Sequence, residues 1–244
     1  MCFKINFNSY GEKAIIIDFK NNIDKNIYVA WQSELCISLQ KEFHDILEDV
    51  VFSFSEITLF FKILPNRVHE KKISTWIKNF SLTKQHILRN LWEIPVCFDE
   101  VFSEDLLVKS ENNSITYESY ISEFLKCIFE VHHYGFLPGF LYLSGLPLKL
   151  HLPRKPTPEK YVAPGTVAVG ESYVGVYPQK SPGGWNRIGR TYCSFFNNKN
   201  NPPCYTLPGD KIKFISISLD EYQSQIDKIH QNNMPKSSSF EIIY

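Results

Sequence analysis

GFLPGFLYLSGLP (Gly135–Pro147) and SPGGWNRIGRT (Ser181–Thr191) bracket the stretch that decides the fold of this 244-residue chain. All but one of its 11 glycines fall between Gly135 and Gly209, and most of its prolines lie there too. Proline fixes φ and glycine permits φ > 0, so this span encodes many tight backbone turns. Among the turns stand Phe136, Phe140, Tyr142, Tyr177 and Trp185, with the cations Arg154, Arg187 and Arg190. Turns that present rings and guanidinium groups suit the lining of a binding surface. Any site is expected here.

The composition is that of a soluble globular protein, with 43% hydrophobic and 21% charged residues. Lys plus Arg balances Asp plus Glu at 26 each, which leaves no electrostatic footprint for nucleic acid or an anionic membrane. No apolar run approaches the ~20 residues of a membrane helix, and the alternating start lacks the apolar block of a signal peptide. A cytosolic protein is expected. The six cysteines form no C-x-x-C pair and are expected as reduced thiols, Cys97 in IPVCF as a small buried hydrophobe. No structural zinc spacing occurs. His132 and His133, as strand neighbours, are expected to point to opposite faces and not to share a metal.

Taken in order, residues 3–8 and 14–19 read as strands around Asn8, Ser9 and Gly11. Ile27, Trp31, Leu35, Leu39, Phe43, Ile46 and Val50 recur every three or four residues and predict one long amphipathic helix. Strands follow at 52–54 and 57–64, then a helix between His69 and Phe80, then the strand EIPVCF (Glu93–Phe98). This order describes a compact α+β domain, with Trp31 and Trp76 as core anchors and His44 and His69 on solvated helix faces. Ser103 and Thr116 are candidate helix N-caps. Beyond Val131, VAVG, YVGVYP, CYTL and KIKFISI fit the strands of a closed or partly closed β-barrel. A short helical piece after Tyr222 leads to PKSSSFEIIY, read as a loose tail. The domains expected are residues 1–91, 92–224 and a tail of 225–244.

Neither G-x-x-x-x-G-K-[ST] nor G-x-G-x-x-G occurs, so both common phosphate cradles are missing. No G-x-S-x-G elbow or Ser–His–Asp set can be assembled, and no catalytic residue is assigned. SPGGW offers two consecutive glycines that suit either an anion nest or a plain tight turn. Arg154 in PRKPTP (Pro153–Pro158) suits either bidentate clamping of a carboxylate or a surface salt bridge.

The motifs GF-x-PGF-x-YL-x-GLP, PR, GVYP and SPGGW-x-x-IGRT resemble the KipI / PxpB family of 5-oxoprolinase components, also named for the allophanate hydrolase subunit 1 carboxyltransferase region. Weaker likeness covers YGEKAIIIDF, SFSEITLFF, IPVCF and NPPCYTLPGDKIKFISIS, so the resemblance spans roughly residues 7–222. It implies an α+β N-terminal domain followed by a cyclophilin-like β-barrel domain. It also implies the B component of a multi-subunit, ATP-dependent 5-oxoprolinase that opens 5-oxo-L-proline to L-glutamate. The partners implied are a second cyclophilin-like carboxyltransferase protein (the C component) and a third, separate protein (the A component). The alternatives are a KipI-like inhibitor of a sensor histidine kinase and a divergent component of a related amide hydrolase.

By position, the resemblance implies a shared pocket of Phe136, Pro138, Phe140, Tyr142, Arg154, Tyr177, Ser181, Gly183, Gly184, Trp185, Arg190 and Thr191. Arg154 and Arg190 would recognise an anion, the SPGGW amides would hold a phosphate or carboxylate, and Phe140, Tyr142 and Trp185 would form the apolar wall. The chain departs from the family pattern in five places. Phe124–Leu125 replaces a His-Thr or His-Ser pair, and Glu159 replaces an arginine. Ala163–Pro164–Gly165 replaces P-A-G. Tyr173–Val174 replaces Gln-Thr, with Gly170–Glu171 in place of the Gly-Gly ahead of it. These changes remove donors that a polar substrate would use.

Overall fold

The structure, a computed structural model, describes residues 5–19, 28–80, 86–111, 115–226 and 235–243. The chain divides into two units, residues 1–88 with 241–244, and residues 89–240.

In the first unit the strands β1 (Ile5–Ser9), β2 (Ala14–Phe19), β3 (Leu47–Ser53) and β4 (Glu56–Phe61) form an antiparallel sheet in the order β1-β2-β4-β3. Alternation in AIIIDF buries Ile15, Ile17 and Phe19. The helices α1 (Tyr28–Glu42) and α2 (Arg67–Asn79) add Trp31, Leu35, Leu39, Ile73 and Ile77 to the same core. Trp76 is partly buried, with its ring centroid 5.7 Å from that of Phe43 and 5.2 Å from that of Phe80.

The second unit holds β5 (His86–Cys97) from Arg89 onward, α3 (Glu104–Glu111), α4 (Tyr117–Leu125), β6 (Phe129–Tyr134), β7 (Leu141–Ser144) and β8 (Glu159–Val162). It continues with β9 (Thr166–Gly170), β10 (Tyr173–Val176), β11 (Ser181–Gly183), β12 (Asn186–Arg190), β13 (Lys211–Ile217), α5 (Leu219–Ile226) and β14 (Lys236–Ile243) as far as Phe240. Seven of these strands run in the order β12-β9-β10-β7-β6-β13-β5, and β5 returns to β12, which closes a barrel. The pairing of β5 with β13 is parallel, with Ile94 opposite Phe214. At the closing seam Arg190 faces Cys97, and Gly189 is what lets the strands meet. A Cβ on Gly189 would lie 2.8 Å from Val96 Cγ1 and 2.9 Å from the Cys97 carbonyl oxygen. β8 and β11 form a separate two-stranded ribbon.

Apolar residues on alternate strand positions fill the barrel core, among them Val96, Val131, Leu143, Val167, Val169, Val174 and Ile188. Phe124 from α4 is fully buried with ring centroids 5.0 Å from Phe129 and 5.4 Å from Phe214. The buried carboxylate of Asp210 accepts from Trp92 Nε1 at 2.8 Å and from the amides of Asn90 and Leu207, both at 2.9 Å. Three donors satisfy a group that would otherwise be costly to bury. This ties the start of β13 to β5. Among the described residues no helix is long and apolar enough to cross a membrane.

Several sequence expectations change. The helix expected over residues 27–50 is α1, which stops at Glu42; Ile27 lies outside the described residues. The Phe43–Ile46–Val50 spacing comes from a turn followed by β3, whose backbone pairs with β4. Burial of Phe43 and Leu47 on the sheet side mimics a continuing helical stripe. Residues 3–4 also lie outside the described residues, and the strand expected at 57–64 is β4, which ends at Phe61. His69 does not merely face solvent: its Nδ1 accepts from the Asn66 amide at 3.2 Å while Asn66 caps α2. Thr116 caps α4, but the Ser103 hydroxyl turns back to donate to the Asp99 carbonyl at 2.9 Å. CYTL contributes only an isolated bridge from Cys204 to Phe196. Of the expected tail, residues 227–234 and 244 lie outside the described residues, and Lys236–Ile243 is not loose but forms β14 beside β5, where Ser239 Oγ donates to Asn90 Oδ1 at 3.0 Å. Edge-strand pairing is carried by the backbone, so a serine-rich composition conceals it.

Phe124→Ala is expected to lower stability by about 3–5 kcal/mol through lost burial and a residual cavity. Urea unfolding followed through near-ultraviolet circular dichroism checks this, and a loss below about 1 kcal/mol would mean that α4 does not cap the barrel core.

Candidate functional site

Short turns feeding β7, β11 and β12 converge on a cavity of about 320 Å³. Its floor is aromatic. Phe140 meets Tyr177 at 5.0 Å and Trp185 at 5.5 Å, and Tyr142 meets Trp185 at 5.5 Å, all edge-to-face. Two glycines make room for the indole: a Cβ on Gly170 would lie 2.5 Å from Trp185, and one on Gly175 would lie 2.7 Å from Phe140 and 2.8 Å from Trp185. Gly183 does the same for Tyr177, whose oxygen would be 2.3 Å from an added Cβ. Phe136 stands at the mouth with φ +65° and 59% of its surface exposed. A left-handed phenylalanine is strained, and such strain concentrates at functional sites.

The rim is electrostatic. Pro153 is fixed by Asn186 Nδ2, which donates to its carbonyl at 2.8 Å, and the Lys155 amide donates to the Gly184 carbonyl at 2.8 Å. Arg154 is thus held between two tethered neighbours, with its guanidinium 5.8 Å from the Trp185 ring centroid. Lys155 Nζ donates to both Asp105 oxygens and to Glu159 Oε1, each at 2.9 Å. Asp105, in the first turn of α3, also accepts from the Arg187 amide and Nε at 2.9 Å. Burial alone would raise the Asp105 pKa, but the hydrogen bonds from Arg187 and Lys155 prevail and hold it below the usual carboxylate range. Among the described residues no carboxylate lies within ion-pair distance of Arg154.

Burial pushes the Tyr177 phenol up to about 12, against a backbone hydrogen bond from Trp185. Burial also raises Tyr142, with Arg154 pulling the other way. Both phenols are neutral hydrogen-bonding groups at pH 7. No cluster of three or more His, Cys, Asp or Glu side chains able to hold a metal occurs among the described residues. An unpaired cation over an aromatic floor, flanked by neutral phenols, suits a small flat anion.

Of the residues singled out in the sequence, Phe136, Phe140, Tyr142, Arg154, Tyr177, Gly183, Gly184 and Trp185 line this cavity together. Pro138 lies exposed in the turn before Phe140. Ser181 is buried, its Oγ lacks a partner, and it faces an adjoining depression beyond Pro158 and Pro182. Arg190 sits at the barrel seam, with Nε donating to the Pro164 carbonyl at 3.0 Å and its guanidinium 5.4 Å from the Phe102 ring. Thr191 is buried, and its hydroxyl accepts from the Cys193 amide at 3.1 Å. SPGGW is a paired segment, since Ser181–Gly183 is β11 and lies opposite Val162 and Glu159. Lys155, Pro158 and Pro182 join the lining, and Asp105 stands behind it. Lys155 was adjacent to Arg154 in PRKPTP; Asp105, 50 residues upstream of Lys155, carried no local signal.

The two histidines do not diverge as strand alternation predicts. The register of β6 against β7 shifts between Val131 and His133, and the bulge brings their Nδ1 atoms to 3.0 Å. His133 stacks on Tyr142 with centroids 4.4 Å apart at an interplanar angle of 10°. Burial lowers both histidines to about 4, and their proximity adds to the shift of His133. Where the chain departs from the family pattern, Phe124 and Val174 are barrel core, Tyr173 packs against His132 and Tyr142 at 6.3 Å, and Glu159 engages Lys155.

A family model described as carboxyltransferase domain, subdomain C and D, matches residues 5–206. The B subunit of the Bacillus subtilis 5-oxoprolinase is 26% identical over 240 residues, 92% of this chain and 98% of that protein. The B subunit of the Haemophilus influenzae 5-oxoprolinase is 36% identical over 188 residues, 75% of this chain and 84% of that protein. The crystal structure of TTHA0988 superposes with a TM-score of 0.71 at 26% identity, covering 84% of this chain and 40% of that one. The urea amidolyase of K. lactis superposes with a TM-score of 0.76 over 98% of this chain and 16% of that one; at 14% identity this shows the fold alone. The chain thus spans less than half of those two crystallised proteins and nearly all of the B. subtilis protein.

Gly170→Ala is expected to displace Trp185 and cost about 1–3 kcal/mol; an unchanged melting temperature and an unchanged tryptophan emission would contradict the clearance seen here. The histidine pair predicts an acid limb. An unfolded histidine titrates near ~6.5, and both folded values are about 4, so the unfolded state binds more protons between these pH values. Stability therefore falls as pH drops through that window, by up to about 1.4 kcal/mol per pH unit for each histidine. Denaturant titrations from pH 7 to pH 4 should show a flatter profile in His133→Phe than in the parent protein.

Proposed function

Because the chain belongs to the family of carboxyltransferase domains, subdomains C and D, we propose that it is the B component of a multi-subunit 5-oxoprolinase. The complex would convert 5-oxo-L-proline, ATP and water to L-glutamate, ADP and phosphate. The observation that carries this reading is the cavity in which Arg154, with no carboxylate partner among the described residues, stands over Trp185 beside Phe140 and Tyr142. 5-Oxoproline is a small flat lactam with one carboxylate. Its carboxylate would take the two parallel N–H donors of Arg154, and its ring would lie against the aromatic floor. The neutral phenols of Tyr142 and Tyr177 are available to hydrogen-bond the lactam. The relatives from B. subtilis and H. influenzae share one name, that of the 5-oxoprolinase B component, which supports the enzyme reading over the kinase-inhibitor alternative.

The cavity does not fit ATP. Its Ser181–Gly183 backbone is committed to the ribbon with β8, and Lys155 is committed to two carboxylates. A triphosphate needs converging free amides and cations. ATP would accordingly be handled by the partner proteins, a second carboxyltransferase-like C component and a third, the A component. The finer architecture belongs to the same proposal: an N-terminal α+β domain, a cyclophilin-like barrel and a cytosolic location.

Co-expression with the two partner proteins and assay of ADP and glutamate tests the proposal. Arg154→Ala is expected to lower kcat/KM for 5-oxoproline by about tenfold to a hundredfold, the worth of one charge-assisted hydrogen-bonded pair. If the three chains form no complex, or the complex shows no 5-oxoproline-dependent ATP turnover, the proposal falls.

A further inference from the structure

We propose that Asp105 is a positioning residue that sets the charge of the cavity, so that the site selects monoanions over dianions. The proposal rests on the binding role given to Arg154 above and extends it to the class of ligand admitted.

Two cations line the cavity, Arg154 and Lys155, yet they are not equivalent. Lys155 is largely buried, with its ammonium bonded to both oxygens of an equally buried Asp105 and to the half-exposed Glu159. In a partly desolvated setting the Asp105 contact dominates, because it is least screened. Asp105 is itself locked by three donors of Arg187, whose remaining charge is shared with Glu104. Behind the cavity lining, Lys155 and Arg187 therefore face the three carboxylates of Glu104, Asp105 and Glu159. This network carries one negative charge more than it carries positive. Of the two lining cations, Arg154 alone offers an unpaired positive charge. A ligand with one carboxylate meets it; a second anionic group would meet only Lys155, already engaged by Asp105 and Glu159, and lose its hydration without a partner. Glu159, on the adjoining depression, adds to the negative charge of the network.

The binding of four small molecules to the full chain, followed by isothermal titration calorimetry, tests this. They are 5-oxo-L-proline and cyclopentanecarboxylate as monoanions, glutarate as a dianion and 2-pyrrolidinone as the neutral lactam. Both monoanions are expected to bind at least about tenfold more tightly than glutarate or 2-pyrrolidinone. Asp105→Asn frees the charge of Lys155 and should narrow the monoanion-to-glutarate ratio by about tenfold. Asp105→Asn combined with Lys155→Met should restore that ratio, because the freed cation is gone. Glu159→Gln, at an exposed position that folding tolerates, should narrow it in the same direction by about threefold.

A purely structural role for Asp105 would weaken every ligand equally and leave the ratio unmoved, which overturns the proposal. So would equal binding of glutarate and the monoanions by the parent chain, equal binding of 2-pyrrolidinone, no saturable binding of any of the four, or an unmoved ratio in Glu159→Gln should Asp105→Asn fail to fold. If cyclopentanecarboxylate obeys the rule while the assembled complex leaves 5-oxoproline intact, the charge rule stands and the 5-oxoprolinase reading alone fails.

Discussion

The seam where β12 meets β5 is the constraint on which the second unit depends. Arg190 and Cys97 pair there because Gly189 has no side chain to hold the strands apart. A ring of strands has no exposed edge except where one is left by design. Closure also fixes the register of β12 against β9, with Asn186 opposite Val169. Trp185 immediately precedes that strand, so its indole reaches Gly170 and Gly175 only if the ring closes at this offset. The site is thus a consequence of how the barrel shuts.

Floor and rim are held by different physics. The floor is close packing, in which rings meet edge to face over backbone with no Cβ. The rim is a charged network that reaches out of the barrel to α3, where Asp105 joins the turn at Lys155 to β12 at Arg187. The three elements lie far apart in sequence, and one carboxylate holds them together. Such a carboxylate gains its worth from position, since an exposed pair of the same kind contributes little.

Much of this was legible from residue order. The barrel strands VAVG, YVGVYP and KIKFISI and the Thr116 cap follow from alternation and turn chemistry, and the grouping of eight of the cavity residues follows from the family resemblance. What escaped had physical causes. The stripe through Phe43 and Val50 kept helical spacing across a turn, because both sides of that turn pack on one core. His132 and His133 share a face because a bulge consumes one residue of the alternation, and nothing in VHHY announces it. Arg190 and Thr191 sit in a binding motif but serve the seam and the loop after it. Asp105 was invisible for the reason that makes it interesting: its partners are assembled only by the fold.

The clearance beneath Trp185 bears on evolvability. Gly170, Gly175 and Gly183 tolerate no added atom without moving a ring, so the floor offers almost no accessible variants. The rim does, because Arg154 projects from an exposed connection whose backbone is anchored at Pro153 and Lys155, and the exposed Glu159 follows it at the start of β8. A lineage built on this barrel can therefore acquire a new ligand preference by exchanging charges along one short loop, while the aromatic chamber beneath is inherited unchanged.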